Sequence, residues 1–294
     1  MKLLYEDETK ILLGLIFEVR NELGGGWSEG IYHQALVKSF EKNGIQYKSK
    51  PRFPLVHHDA EVYCYEPDII VWDKIILELK VLPRFRLNNF PSENEGQLIQ
   101  YLKKCDKKLG MLINFAHSKV GIKRIAYEPP EMEIEEDYEK IQGKLTDQER
   151  QSLQKIRTTL LHLAKQFEVG YTDHVYKKLI ALEFDQQGIQ CKEDPELITY
   201  WNNEKIGVQQ VNQLLVNNKF LILVRSTLER PTTYDYIQTR SFLEALGLKV
   251  GLIVNFGKHK FQIIGTSVTE SDKRSSLSAS LNKKEPENYN GNPT

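Results

Sequence analysis

Apolar residues recur at helical spacing in the first forty-odd positions of the chain. Residues 9–23 carry them at the period of an α-helix, and the triple glycine at 24–26 follows directly. Glycine readily adopts the left-handed conformation that ends helices, so we predict that the first helix stops there. The same spacing predicts a second helix from about Trp27 to Asn43, ended by Gly44.

Residues 66–80 have the pattern of a β-hairpin, but with charges in unusual positions. Two short β-branched runs flank a polar turn at Asp73-Lys74. Asp68 opens the first strand, whereas Glu78 and Lys80 lie within the second. Alternate side chains of a strand share a face, so Glu78 and Lys80 project together. Buried charges are costly unless they are paired or bind a metal, and this hairpin is therefore a candidate site.

Four further strands and one helix complete the first half of the chain. Strand-like runs near 52–57 and 61–65 precede the hairpin, and a helical pattern over 93–106 follows it. The continuous apolar run Gly110–Phe115 is typical of a buried strand, and Lys123–Tyr127 predicts a short closing strand. This order of elements predicts an α/β fold with a mixed sheet.

The second half of the chain repeats the first at a spacing of 141–144 residues. The segment 170–176 parallels 26–32, and Gly251–Phe256 parallels Gly110–Phe115. Matching gaps between matching segments indicate two tandem copies of one domain.

The repeat, together with the composition of the segments outside it, divides the chain into four predicted parts. A Pro-Pro pair and many acidic residues indicate a linker, and Thr146 with Glu149 forms a capping-box pattern that opens a new helix. The C-terminal residues are rich in Ser, Asn, Lys and Pro, which is typical of disorder. The predicted parts are a first domain at 1–127, an acidic linker at 128–145, a second copy at 146–268 and a disordered tail at 269–294.

Composition limits the classes of protein to which this chain can belong. The formal net charge is zero, so the chain as a whole is no polycation; residues 1–127 are mildly basic, with 19 Lys/Arg against 16 Asp/Glu. Three widely spaced cysteines without a CxxC pair indicate neither a disulfide framework nor a zinc site. The sequence has neither a signal-peptide pattern nor an apolar run long enough for a membrane span, and we expect a cytoplasmic protein.

The charges of the first half fit a metal site. Carboxylates at Glu29, Asp68 and Glu78, with the main-chain carbonyl of Leu79, are hard oxygen ligands suited to Mg²⁺ or Mn²⁺. Such an ion can polarise a phosphoryl oxygen and lower the pKa of a bound water. Lys80 could orient the attacking water or offset phosphate charge.

Gln97 and Tyr101 are spaced i, i+4 and share one face of the predicted third helix. They could hold substrate or metal-bound water. Simple helix packing is the alternative for this pair. For Glu78 and Lys80, the alternative is an exposed cross-strand ion pair on a solvated sheet face, contributing about 0–1 kcal/mol.

The motif Pro67-Asp68 … Glu78-Leu79-Lys80 resembles the signature of the PD-(D/E)xK nucleases. Gly26-x-x-Glu29-x-x-Tyr32, Gln97-x-x-x-Tyr101 and the strand from Gly110 resemble the GxxExxY family within that superfamily. The resemblance covers residues 10–127. It implies an αβββαβ core with a metal-dependent phosphodiesterase site formed by Glu29, Asp68, Glu78 and Lys80. With the internal repeat, we expect two tandem restriction-endonuclease-like α/β/α domains, each with a central mixed β-sheet. Arg20 stands where this family usually has a histidine.

The second copy lacks most of these residues. Asn212 stands at the position of Asp68, Leu223 at that of Glu78 and Arg225 at that of Lys80, which leaves only Asp173 as an acid. Arginine is a poor substitute for a lysine that acts on water, because it stays charged and presents a broad fork. We predict that the second copy is catalytically inactive.

Two functions are therefore in competition. The first is a metal-dependent nuclease that cuts DNA rather than RNA, with the second copy acting as an internal partner of a monomer. The second is a non-catalytic adaptor that binds nucleic acid or protein and keeps a vestigial site. Retention of all four charged residues in one copy, and their loss in the other, favours catalysis.

Overall fold

The computed structural model describes residues 3–129, 131–202, 204–227, 230–257 and 260–268. The predicted disordered tail lies outside these ranges. The described chain divides into two compact units: residues 3–132 with 168–179, called the first unit, and residues 133–167 with 180–268, called the second unit. This division follows spatial contacts, and the four-part division predicted from the sequence stays a prediction.

The first unit is a five-stranded mixed sheet with helices on both faces. The sheet order is β1-β4-β5-β6-β7, in which β5 and β6 are parallel and the other neighbours antiparallel, while β2 and β3 form a separate two-stranded sheet. The elements are α1 (Glu6–Leu23), α2 (Glu29–Lys42), β1 (Tyr47–Ser49), β2 (Phe53–His57), β3 (Ala60–Tyr65), β4 (Ile69–Val71), β5 (Ile75–Lys80), α3 (Ser92–Lys104), β6 (Leu109–Asn114) and β7 (Gly121–Ala126).

Strand alternation sorts the two faces of this sheet. Leu77 and Leu79 of β5 pack with α1 and α2 in one apolar core. The opposite face of the sheet receives α3, and Gly110 permits the approach, because a Cβ there would lie 2.6 Å from the side chain of Leu98. Glu78 and Lys80 therefore point to the α3 side of the sheet.

The second unit repeats this arrangement with one extra strand. Its sheet order is β8-β15-β14-β13-β12-β9, with a separate ribbon of β10 and β11. The elements are β8 (Glu133–Asp137), α4 (Asp147–Phe167), α5 (Asp173–Gln186), β9 (Cys191–Glu193), β10 (Glu196–Trp201), β11 (Glu204–Gln210), β12 (Leu214–Val216), β13 (Phe220–Arg225), α6 (Thr233–Ala245), β14 (Val250–Phe256) and β15 (Lys260–Ser267). The start of α5 groups with the first unit.

The predicted mixed-sheet α/β fold is confirmed in both units. The capping box at the start of α4 is present, since Glu149 accepts a hydrogen bond from the Thr146 main chain at 2.9 Å. Strand β1, which pairs antiparallel with β4, was not foreseen. Nor was β8, which lies within the segment predicted as a linker and pairs in parallel with β15. Among the described residues, no helix is long and apolar enough to cross a membrane.

Candidate active site

Glu78 and Lys80 form a buried ion pair on the α3 face of β5. Lys80 Nζ donates to Glu78 Oε1 at 2.7 Å, and only 13% and 4% of the two side chains are exposed. The alternative of an exposed surface pair is therefore wrong. A buried pair is weak evidence for stability, because removing two charges from water costs about as much as their attraction returns.

Asp68 lies immediately before β4, beside the end of β5. Its Oδ2 accepts a hydrogen bond from the main-chain N–H of Leu79 at 2.8 Å. The ladder pairs Ile69 with Leu77, and two further steps in this register would set Pro67 opposite Leu79. Proline has no N–H, so the ladder supplies no donor to the Leu79 carbonyl at that step. The carbonyl and the Asp68 carboxylate thus border the same gap in the ladder.

Glu29 reaches the same strand end from another element. It is the first residue of α2, it is exposed, and its Oε1 accepts a hydrogen bond from Val81 N–H at 3.1 Å. Tyr32, one turn later, fixes the start of the helix: its hydroxyl donates to the Gly24 carbonyl at 2.8 Å, and its ring stacks on Phe115 with centroids 4.3 Å apart. Glu29 and Tyr32 of the G-x-x-E-x-x-Y pattern thus have separate structural roles at the start of α2.

Gln97 and Tyr101 approach from α3. Gln97 Nε2 donates to the Tyr101 hydroxyl oxygen at 2.9 Å. Burial raises the pKa of Tyr101, and the negative charges of Glu78 and Asp68 raise it further. The tyrosine is thus neutral and within electrostatic reach of both carboxylates. The six side chains singled out from the sequence come together around the carboxyl end of β5.

The electrostatics of the site depend on Glu78. Burial, followed by the charge of Asp68, raises the pKa of Glu78 to about 7 despite the attraction of Lys80. Burial disfavours the charged form of Lys80, but the carboxylates of Glu78, Glu29 and Asp68 outweigh it and raise the pKa of this lysine. Lys80 is therefore a cation at neutral pH, while Glu78 can gain or lose a proton there.

The second unit has a different residue at the position of Asp68 from the one expected. Its hairpin pairs Leu214 with Ile222, which matches Ile69 with Leu77 at a constant spacing of 145 residues. The main-chain bond from Asp194 N–H to the Gln213 carbonyl also repeats the bond from Lys50 to Asp68. Gln213 therefore occupies the position of Asp68, and the assignment of Asn212 is wrong by one residue.

The other two residue assignments in this hairpin agree with the observed register, and the second unit has neither the acid nor the lysine of the first. Leu223 takes the place of Glu78, and Arg225 takes that of Lys80. Arg225 binds Asp235 of α6 at 2.7 Å, and the other oxygen of Asp235 accepts from the main chain and hydroxyl of Thr232. Burial would raise the pKa of Asp235, but the hydrogen bond from Arg225 lowers it overall. Asp235 was missed as an additional acid, yet both of its oxygens are engaged.

A model of the PD-(D/E)XK nuclease superfamily matches residues 6–125 and again residues 150–265. The chain belongs to this superfamily. The two matches coincide with the two sequence repeats, so the tandem arrangement of the fold is confirmed. Membership supports a nuclease-like function, and nucleases of this superfamily generally use divalent metal ions.

Other comparisons add little to superfamily membership. No curated protein matches the chain. Among solved structures, one titled "Crystal structure of SSO0001" shares 19% identity over 42% of this chain, with a TM-score of 0.29. The chain covers 59% of that protein's length. A likeness this distant carries no argument about fold or function.

The first site has the donors that a divalent ion of this superfamily needs. Glu78 Oε2 is buried and has no hydrogen-bond partner among the described residues. An oxygen in that position is costly unless a ligand satisfies it. Together with Asp68, Glu29 and the Leu79 carbonyl, it makes an all-oxygen set that fits a hard cation such as Mg²⁺ or Mn²⁺.

Two residues that support this site were not foreseen. The ring Nε2 of His33 lies 3.2 Å from the carbonyl oxygen of Asp68, where it can donate. Its spacing of four residues from Glu29 along α2 was a usable signal. Asn114, fully buried at the end of β6, accepts from Leu82 N–H at 2.9 Å and donates to the Leu82 carbonyl at 3.3 Å. An asparagine at the end of an apolar run was the signal there.

Proposed function

We propose that the first unit is a divalent-metal-dependent nuclease of the GxxExxY type that hydrolyses phosphodiester bonds in DNA. The observation that supports this most directly is the buried, unsatisfied Oε2 of Glu78, beside Asp68 and an ion-paired lysine. An adaptor that needs only the fold has no use for a carboxylate in this position, since its burial is unfavourable. The repeat has leucine there.

In this proposal Glu29, Asp68, Glu78 and the Leu79 carbonyl hold Mg²⁺ or Mn²⁺. The bound ion would polarise a phosphoryl oxygen and lower the pKa of a water molecule. Asp68 is oriented by the Leu79 N–H and Glu29 by the Val81 N–H.

The remaining side chains act on the substrate and the attacking water. Lys80, a cation held by Glu78, orients the nucleophile and offsets negative charge on the scissile phosphate. Gln97 holds the Tyr101 hydroxyl, and the two contact the DNA backbone or a water molecule beside it.

For the second unit we propose a structural role without catalysis. Arg225 and Asp235 satisfy each other, and Leu223 offers no ligand. A covalently attached second copy can also replace the partner subunit of a homodimer, because the linker keeps it at high effective concentration. The full chain should then be a monomer in sedimentation equilibrium, and a tight dimer would contradict this role.

A cleavage assay tests the proposal. Supercoiled, linear and single-stranded DNA are incubated with wild type, Lys80→Ala and Lys74→Ala, in Mg²⁺, Mn²⁺ or EDTA. Loss of a group that acts on the nucleophile should slow cleavage by about 10²–10⁴-fold. Lys74 is the matched control, since it lies in the turn of the same hairpin and pairs at the surface with Glu8.

Lys74→Ala should cut DNA like wild type, and EDTA should stop both. All three proteins are purified identically, so a contaminating nuclease would appear in every preparation. Equal rates for wild type and Lys80→Ala, or no cleavage of any substrate by wild type, would refute the nuclease assignment.

A further inference from the structure

The loop between β5 and α3 differs most in length between the two site regions. In the first unit it spans residues 81–91, whereas the corresponding loop of the second unit spans only 226–232. The four additional residues therefore belong to the copy that keeps the charged site. They follow Leu82, since the bond from Leu82 N–H to Asn114 is repeated by Thr227 N–H and Asn255 in the second unit.

Both ends of the longer loop are fixed to the sheet. Asn114 holds Leu82 through two hydrogen bonds, and the Asn88 side chain accepts from Ile122 N–H at 3.0 Å. A Cβ at Gly121 would lie 1.7 Å from the Leu87 carbonyl oxygen, so only glycine permits the loop backbone to lie against β7 here. The loop is thus anchored, and its ordering cost is largely met before any ligand binds.

The tip of this anchored loop presents Arg84, Phe85 and Arg86 to solvent. Phe85 is 38% exposed as a residue, and both arginines are exposed. Neither guanidinium has an ion-pair or hydrogen-bond partner within the described ranges. In the second unit, by contrast, Arg230 of the shorter loop pairs with Glu135 at 2.9 Å.

An aromatic ring between two cations matches the chemistry of an unpaired nucleotide strand. Arginines contact successive phosphates, and an exposed aromatic ring stacks on a base that is not already stacked on neighbouring bases. Base pairs within a duplex are already stacked and expose only their edges in the grooves, so they offer Phe85 no face. Chain geometry keeps the tip within about 22 Å of Lys80, a reach of a few nucleotides.

We propose that Arg84, Phe85 and Arg86 bind the DNA strand next to the scissile phosphate and give the site a preference for unpaired over duplex DNA. This inference rests on the proposed nuclease function, because it names the substrate class of the same site.

Equilibrium binding in EDTA tests the loop without requiring cleavage. Fluorescence anisotropy is measured with one labelled DNA oligonucleotide, as a single strand and as a blunt duplex, and with RNA of the same sequence. Removal of one stacking ring should weaken single-strand binding by about 5- to 150-fold. Phe85→Ala should show this loss, while its duplex binding stays within about twofold of wild type. Phe85→Trp should retain single-strand binding.

Phe17→Ala is the matched control, because Phe17 is a similarly exposed phenylalanine of α1 in the same unit. It should bind both DNA forms like wild type. Replacing Arg84 and Arg86 together by alanine should reduce the salt dependence of single-strand binding, by a slope of about 0.7 for each lost phosphate contact.

Unchanged single-strand binding by Phe85→Ala, or an equal loss on duplex, would overturn the proposal. Tighter binding to RNA than to DNA would overturn its choice of DNA. If the expected preference is found but wild type cleaves nothing in Mg²⁺ or Mn²⁺, the nuclease assignment fails and the strand-binding role of the loop stands.

Discussion

The hairpin β4–β5 and its counterpart β12–β13 share one register but differ in the side chains at two matching positions. Each pairs three residues of a short strand with a longer one, and each longer strand runs parallel to the next strand of its sheet. On the face toward the following helix, the first hairpin has Glu78 and Lys80, whereas the second has Leu223 and Arg225. The fold therefore needs apolar side chains at the shared core positions and tolerates charges at these two.

The two hairpins also differ in how well their polar groups are satisfied. Glu78 keeps one buried oxygen without a partner among the described residues, and its pKa is raised to about 7. Arg225 and Asp235 form a hydrogen-bonded pair in which both carboxylate oxygens are used. The first site is therefore less favourable for stability than the arrangement at the matching positions of the second unit.

The largest effect is expected from placing a carboxylate in the second hairpin. Leu223→Glu buries an acid beside an arginine that Asp235 already occupies, so it should destabilise the second unit by about 3–5 kcal/mol. Hydrogen exchange measured on peptides of β13 and β14 reports this unit separately. Leu223→Met, which keeps the volume, should cost less than about 1.5 kcal/mol. If hydrogen-exchange protection of β13 and β14 is unchanged in Leu223→Glu, the two hairpins tolerate a buried acid equally well.

The reciprocal change should act in the opposite direction. Glu78→Leu with Lys80→Met converts the first hairpin to an apolar one and should stabilise the metal-free first unit by about 1–4 kcal/mol. Cleavage should be lost at the same time. Glu78→Leu alone is the informative control, because it leaves Lys80 buried without its partner and should be destabilising. Exchange in β5 and β6 that becomes faster in the double variant would contradict the comparison.

The smallest effect concerns pH and metal binding in the first unit. Because Glu78 has a pKa of about 7, protons compete with a divalent ion below that pH, and apparent Mn²⁺ affinity should fall up to about tenfold per pH unit. Isothermal titration calorimetry at pH values from about 6 to about 8 would measure this change in Mn²⁺ affinity. Glu78→Gln should bind weakly at every pH, and a wild-type affinity independent of pH would contradict the role of Glu78.

The same shift fixes the pH dependence of stability without metal. The pKa of Glu78 is raised above its ordinary value of 4.5. Its favourable contribution is therefore fully present below about pH 4.5 and is lost as the pH rises through about 7. Denaturant unfolding in EDTA should show this decline in wild type and a flatter profile in Glu78→Gln.

Features encoded by local pattern could be predicted from the sequence. The helix of residues 9–23, the hairpin at 66–80 and the apolar strand from Gly110 each repeat a period over enough residues to specify one element. The charges at Glu78 and Lys80 were recognisable because they interrupt such a pattern.

Features that depend on distant partners could not be predicted. The acidic strand β8 has no apolar alternation, and only its pairing with β15 makes it a strand. Gln213 was missed because loop lengths before the hairpin hide the position of the one-residue insertion. Asn114 acts on Leu82, which is 32 residues away in sequence, and no spacing rule connects them.

Pro67 marks a second position at which the two hairpins differ in how well polar groups are satisfied. In the first hairpin the missing proline N–H leaves the Leu79 carbonyl without a ladder donor, whereas position 212 of the repeat is an asparagine, which has an N–H. Asparagine at this position can therefore supply a donor that proline lacks, and leucine at the position of Glu78 avoids a buried acid. At both positions the residue of the second unit is the less costly one for the fold, so placing the residues of the first unit there means accepting unsatisfied polar groups.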